Sequence, residues 1–220
     1  MINLTNKVLV FDLDDTLYDS RKFTNQGFNN VATFLSKKTK IKKKNILKEI
    51  NKIYYSEKKY TFNKLLKFYS LKKNLLASLI NIYRYSKKNL NLYKDAQYLL
   101  KKIDKKKTFL LTDGNKLMQG KKIKYLALNK YFKKILKTNQ YGLKYNKPSN
   151  YCFSIICKNM NCKMTDIVYI GDNPNKDFII KQSGVVTIRL LRGIYRNQKL
   201  GKKKEADYEI KNLREILNYL

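Results

Sequence analysis

KVLVFDLDDTLYDS, residues 7–20, sets a run of strand-forming apolar residues directly against a cluster of carboxylates. Val8 to Phe11 contain no polar residue, the pattern of a strand covered on both faces rather than one facing water. Asp12, Asp14, Asp15 and Asp19 then follow within eight residues, although only 16 of the 220 residues are acidic. Like charges crowded at the end of a strand repel one another unless a cation or a function compensates. Asp12 and Asp14 stand two residues apart, so in an extended chain they face the same crevice.

The same unit recurs along the chain. Thr108 to Leu111 (TFLL), the weaker Lys134 to Thr138, Ile167 to Ile170 (IVYI) and Val185 to Leu191 (VVTIRLL) are further short apolar runs, each followed by polar turn residues. Helical stretches are expected at 116–128, 148–160, 174–183 and 211–219. Strands alternating with helices predict an α/β fold, a Rossmann-like parallel sheet whose ligands bind at the carboxyl ends of the strands. One interval breaks the rhythm. Residues 20–91 are far longer than a βαβ crossover needs, and their apolar positions (Phe23, Val31, Phe34, Leu35, then Phe62, Leu65, Leu66, Tyr69) have helical spacing. They are read as an inserted α-helical domain over the active end of the sheet. Residues 1–19 and 92–220 are read as the core. The insert holds 19 basic and only 2 acidic residues, a charge that focuses anionic substrates or simply solvates a lysine-rich bundle.

Composition narrows the chemistry. The chain has no His, which excludes histidine triads, His-ligated zinc and imidazole acid–base catalysis. The 49 basic residues give a formal net charge of +33, divided as +18 over residues 1–110 and +15 over 111–220. So even a spread, with Lys, Asn, Ile and Tyr all abundant, favours general surface charge over a dedicated nucleic-acid patch. Cys152, Cys157 and Cys162 match neither CxxC nor a zinc ribbon and are expected as buried, reduced thiols. No apolar run approaches the ~20 residues that span a bilayer, and the N-terminus has no signal-peptide pattern. A cytoplasmic protein without a membrane partner is therefore expected.

The acidic minority marks the site. Asp172 and Asp177, in IGDNPNKDF after the fourth strand, emerge at the same sheet edge as Asp12 and Asp14. Oxygen ligands with few carboxylates suit Mg²⁺. Thr112, Asp113, Gly114 and Asn115 follow the second strand and open a helix, so a hydroxyl and backbone amides are placed to cradle an anion. Lys147 precedes Pro148 at the start of the helix before the fourth strand, facing the crevice.

These four pieces, in this order, resemble the haloacid dehalogenase (HAD) superfamily of phosphohydrolases over nearly the whole chain. Asp12 to Thr16 (DLDDT) is similar to its first motif, Thr112 to the second, Lys147 to the third, and Gly171-Asp172 with Asp177 to the fourth. The insert looks like the family's helical cap of the first type. The resemblance implies that Asp12 is the nucleophile and forms an aspartyl-phosphate, and that Asp14 is the general acid and then the base. It implies Mg²⁺ held by the Asp12 and Asp172 carboxylates and the Asp14 backbone carbonyl, and phosphate bound by Thr112, Asp113 and Lys147. Asp177 would orient the metal water or Lys147, and Thr16 the turn of the first motif.

The resemblance thus implies a Mg²⁺-dependent phosphatase acting on a small phosphorylated metabolite, a sugar phosphate or a nucleotide. Asp14 sets it apart from the dehalogenases of the superfamily. A phosphosugar mutase shares both aspartates, and a non-enzymatic RNA or polyanion binder on the same scaffold is the alternative from another class. Gly114 to Lys122 (GNKLMQGKK) is not a nucleotide-triphosphate loop: five residues separate the glycines and Lys122 stands where a hydroxyl should bind metal. Tyr18, Arg21 and Arg84 are candidates to touch the leaving group, and Arg192 to Tyr195 either joins them or forms a turn. The oligomeric state leaves no trace in the sequence.

Overall fold

The apolar runs pair with one another in a single parallel sheet. The computed structural model of the protein describes residues 3–220. Its strands β1 (Val8–Phe11), β2 (Thr108–Thr112), β3 (Lys134–Lys137), β4 (Ile167–Gly171), β5 (Val186–Leu190) and β6 (Tyr208–Ile210) lie in the order β3-β2-β1-β4-β5-β6. Every residue of β1, β2 and β4 is buried, as the unbroken apolar runs require. β6 is a three-residue edge strand that the periodicity does not reveal, because two of its three residues are exposed.

The strand order reverses direction at β1 and β4, which are neighbours although far apart in sequence. At such a switch point the loops leave on opposite sides and open a crevice at the carboxyl ends. Register then brings particular residues together. Phe11 sits opposite Ile170 on one side and Leu110 on the other, and the Asp12 N–H continues the ladder to the Ile170 carbonyl at 2.9 Å. Asp12, Asp172 and the end of β2 therefore emerge side by side.

By its contacts the chain divides into two units, one of residues up to Ser20 with Leu90–Leu220 and one of Arg21–Asn89. The second unit is helical, with α1 (Ser20–Lys38), α2 (Lys43–Ser56), α3 (Thr61–Phe68) and α4 (Leu75–Tyr85). Val31, Leu35, Ile46, Ile50, Leu65 and Leu79 form its core, fully buried. Phe28 and Phe62 pack edge-to-face, and each lies against Tyr83. Gly27 makes room for this: a Cβ there would come within 2.5 Å of the Tyr83 ring. Arg84 lines a cleft of about 370 Å³ within this unit, beside Phe28, Tyr54, Phe62 and Tyr83.

In the first unit, α5 (Lys94–Lys102), α6 (Lys116–Tyr125) and α7 (Tyr151–Met160) cover the sheet. α5 is a helix that the sequence reading passes over; its Ala96, Leu99 and Leu100 are buried at helical spacing. The helices expected at 174–183 and 211–219 are instead 3₁₀ turns at Ile179–Ser183 and Leu213–Tyr219. Before the first of them Asp177 bonds back to the Asn173 N–H, and after it Gly184 turns left-handed at φ 90°. These two constraints leave too few residues for an α-helix. Cys152 is buried, whereas Cys157 and Cys162 are half-buried and only flank the core, a smaller burial than expected for three structural thiols. No helix among the described residues is long and apolar enough to cross a membrane.

The Arg192 stretch is a clamp. Its guanidinium stacks 4.1 Å over the Tyr93 ring, pairs with Asp95 and donates to the Thr16 carbonyl at 3.2 Å. Asp95 in turn accepts from the Leu213 N–H at 3.0 Å, so one ion pair joins the first loop, α5 and the chain's last turn. Burial favours the neutral Asp95 carboxyl, but the hydrogen bonds and charge of Arg192 with the Leu213 N–H outweigh it and hold its pKa below the ordinary value. Arg192→Ala leaves this carboxylate unpaired and should lower stability by about 2–4 kcal/mol in denaturant unfolding at neutral pH. Because the folded pKa is depressed, the stabilisation is present above the ordinary Asp value of about 3.9 and is lost as pH falls below it. The gap between wild type and variant should accordingly close in acid, and a gap that persists there would show that packing alone is responsible.

Candidate active site

Asp12 leaves the end of β1 with its carboxylate buried, and the Lys147 ammonium meets it at 2.5 Å. The same ammonium donates to Asp177 at 2.8 Å and to the Tyr169 hydroxyl at 2.7 Å. All four side chains are buried. Burial opposes the charge on Lys147, but the carboxylates of Asp12 and Asp177 prevail and hold it as an ammonium, its pKa raised well above normal. Tyr169 is a site residue that sequence reasoning missed: in IVYI it reads as one more apolar strand position.

Asp172 follows β4 and completes a cluster. One carboxylate oxygen from each of Asp12, Asp172 and Asp177 lies within 4.8 Å of the others. Burial, then the charges of Asp12 and Asp177, push the Asp172 carboxyl up to about 9, with Lys147 too weak to offset them. Burial likewise raises Asp12 to about 6 despite the contact with Lys147. Among the described residues, the hydrogen-bond partner of Asp172 is the Thr16 hydroxyl, at 3.4 Å. Three buried carboxylates with a single ammonium make a donor set of oxygens carrying surplus negative charge, and that is what a hard divalent cation fits.

Asp177 reaches this place because Gly171 lets it. A Cβ on Gly171 would lie 2.5 Å from the Asp177 carboxylate. The oxygen it would meet accepts from the Asn173 N–H at 3.0 Å, closing the loop after β4, while the other accepts from Lys147.

Asp14 lies outside the three-carboxylate cluster and is only half-buried. Its two oxygens accept from Lys122 at 2.7 and 2.8 Å, from Tyr18 at 2.6 Å and from Gln119 at 2.9 Å. Burial alone would raise this carboxyl, but the charge and hydrogen bond of Lys122, with Tyr18 and Gln119, bring it down to about 2. Asp15, the third acid of the cluster, takes a left-handed backbone (φ 58°) and turns away to bond Ser20 at the start of α1. Thr16 is buried with its hydroxyl on Asp172.

The second-strand loop is bound just as tightly. Thr112 is buried, and its hydroxyl accepts from Gln119 at 2.7 Å. The Asp113 carboxylate accepts from the Thr138 hydroxyl at 2.8 Å, the Lys147 N–H at 3.2 Å and the Lys176 ammonium at 3.3 Å. The register of β2 on β3, Thr112 opposite Lys137, sets Thr138 next to Asp113. The Asp113 side chain thus ties three loops together, and only its backbone amide remains for an anion. α6 begins behind this loop, capped by the Asn115 side chain on the N–H groups of Leu117 and Met118. Gln119, Lys122 and Lys176 are site residues the sequence does not mark: the two lysines are ordinary among 49 basic residues, and Gln119 is one more polar residue in a helical stretch. Arg21 and Arg84 belong to the other unit.

A carboxylate held by an ammonium, a second carboxylate on the same loop, an acidic cluster that could hold a metal ion and a loop opening a helix suit phosphoryl transfer. Known proteins bear on it directly. A glyceraldehyde 3-phosphate phosphatase of Methanocaldococcus jannaschii is 28% identical over 222 residues, with 96% of each chain covered. Another, of Pyrococcus furiosus, is 30% identical, covering 97% of this chain and 92% of its own. Among solved structures, a magnesium-bound HAD-hydrolase of Bacillus subtilis shares the fold with a TM-score of 0.67 at 20% identity, covering 96% of this chain and 97% of its own. The family model for haloacid dehalogenase-like hydrolases matches residues 6–179, from the first strand through the acidic loop after β4, and the chain belongs to that family.

Proposed function

We propose that the protein is a Mg²⁺-dependent phosphatase that hydrolyses a small sugar phosphate through an aspartyl-phosphate on Asp12, with the helical unit of residues 20–91 as its cap. One observation carries the reading: Asp12, at the carboxyl end of the central strand, touches Lys147 and shares a buried cluster with Asp172 and Asp177. The relatives named as phosphatases support the reaction class, and their named substrate makes a triose phosphate the first ester to try.

The chain's own groups divide the work. A phosphate monoester enters with its oxygens toward the Thr112 hydroxyl, the backbone amides of Asp113 and Gly114, and Lys147. An Asp12 carboxylate oxygen attacks phosphorus, the P–O bond to the sugar breaks, and the leaving alkoxide takes a proton from Asp14. The Asp14 carboxylate then removes a proton from water, whose oxygen attacks phosphorus and frees Asp12 and inorganic phosphate. Asp14 is ionised in the ligand-free site; a phosphate dianion beside it raises its proton affinity, which the first step requires. Asp12, Asp172 and the Asp14 backbone carbonyl would hold Mg²⁺, which when bound neutralises charge between the phosphate and the attacking carboxylate. Asp177 and Tyr169 keep the Lys147 ammonium in place, and Thr16 keeps Asp172 in place.

Phosphate release from a panel including glyceraldehyde 3-phosphate, other sugar phosphates and nucleotides should require Mg²⁺ and stop with a chelator. Asp12→Asn should lower it by about a thousandfold or more; a variant that keeps full turnover would sink the mechanism. Rearranged sugar phosphate without free phosphate would instead mark a mutase.

Lys147→Met should reduce kcat about 10²–10³-fold, the usual effect of removing one donor to a developing negative charge. It also strands Asp12 and Asp177, so stability without metal should fall by about 3–5 kcal/mol. Added Mg²⁺ should recover part of that loss in thermal unfolding, and recovery should be absent once Asp172→Asn is added.

A further inference from the structure

We propose that Lys122 on α6 is a positioning residue for Asp14, clamping both carboxylate oxygens so that the acid–base group stands in one place. This rests on the role given to Asp14 above. An aspartate on a loop turns freely about two bonds. Here four hydrogen bonds from three side chains hold it: Lys122 at 2.7 and 2.8 Å, Tyr18 at 2.6 Å and Gln119 at 2.9 Å. Lys122 grips both oxygens at once.

The clamp has a rigid base. α6 is capped by Asn115 at its start, and Ile123 anchors it in the core. Gln119 and Lys122, three residues apart, share one face of that helix. Gln119 is buried and bridges Asp14 to the Thr112 hydroxyl and the Asp113 carbonyl, at 2.7 and 2.5 Å. Three acceptors share its amide nitrogen, while its own oxygen is buried with no hydrogen-bond partner among the described residues. Such an imperfectly satisfied group belongs where position outweighs stability. The same helix therefore fixes the distance between the acid–base carboxylate and the anion loop. Lys122 keeps only 12% of its side chain exposed, in a protein whose lysines are mostly solvated. Holding a long ammonium side chain in one conformation opposes folding, and here that cost fixes both oxygens of a single carboxylate.

Leaving-group dependence separates a positioning role from a structural one. An alkoxide needs a proton to depart, whereas p-nitrophenolate departs without one, so misplacing Asp14 slows formation of the aspartyl-phosphate only for the first class of ester. Because both esters share the later hydrolysis, the rate to compare is kcat/KM, which reports the first step alone. Lys122→Met, which keeps the stem and removes the charge, should lower kcat/KM about 10–100-fold on the alkyl phosphate turned over fastest in the panel. On p-nitrophenyl phosphate kcat/KM should change by less than about threefold. Lys122→Arg should restore much of the alkyl-ester rate.

Asp14→Asn, assayed in parallel, should show the same selectivity in larger measure. If Asp14→Asn slows both esters equally, the acid role of Asp14 fails and the proposal falls with it. If Asp14→Asn is selective while Lys122→Met matches wild type, or slows both esters alike, the positioning role alone is overturned. Lys122→Gln, which retains a polar end, serves with the same readout should the methionine variant not fold.

Discussion

The site is organised around one ammonium in a pocket of carboxylates. Lys147 is buried between Asp12 and Asp177, with Asp172 in the same 4.8 Å cluster. Two carboxylates about 4 Å apart repel by roughly 4 kcal/mol even at an effective dielectric of 20. A fold selected only for stability would not gather three of them behind a single lysine. The parallel sheet imposes the gathering, because β1 and β4 are neighbours and both chains turn outward at the same edge. Once that strand order forms, the first residues beyond each strand meet whether or not their charges favour it.

What tolerates the repulsion is a second layer of contacts that leaves little freedom. Tyr169 donates to Asp177 from within β4, and Gly171 provides the space that Asp177 fills. Asp113 spends its carboxylate on Thr138, the Lys147 backbone and Lys176, so the loops after β2, β3 and β4 are bound together. The Arg192 clamp secures the first loop from the other side through the Thr16 carbonyl. Stability is thus supplied around the cluster rather than within it, as expected where function requires an unfavourable local arrangement.

The strands and the acidic positions were legible because their signals are local. Val8 to Phe11 and Ile167 to Ile170 can be read as buried strands without knowing what they touch, and carboxylates stand out where acids are scarce. The missed elements lack local signals. β6 is too short for periodicity, and the turns at Ile179 and Leu213 depend on side chains folding back on their own backbone. α5 is the exception, since its buried Ala96, Leu99 and Leu100 do stand at helical spacing. Tyr169, Gln119, Lys122 and Lys176 gain their meaning only from what the fold sets beside them. A lysine among so many, or a tyrosine in an apolar run, carries no mark of its own.

That abundance of lysine bears on how the site is built. Asp14 is matched with Lys122, Asp113 with Lys176, and Asp12 and Asp177 share Lys147. Asp172 departs from the pattern: the partner it has among the described residues is a neutral hydroxyl, and its carboxyl is driven up to about 9 by burial and its acidic neighbours. In a protein with lysine available at nearly every loop, the carboxylate without an ammonium is the informative one. An ammonium there would neutralise the pocket permanently and leave it nothing to offer a phosphate. A divalent cation satisfies the same charge while keeping coordination positions open to the substrate. On the proposed reading, pairing Asp12, Asp14, Asp113 and Asp177 with lysines leaves Asp172 as the site carboxylate for a cation to balance, beside the carboxylate proposed to attack.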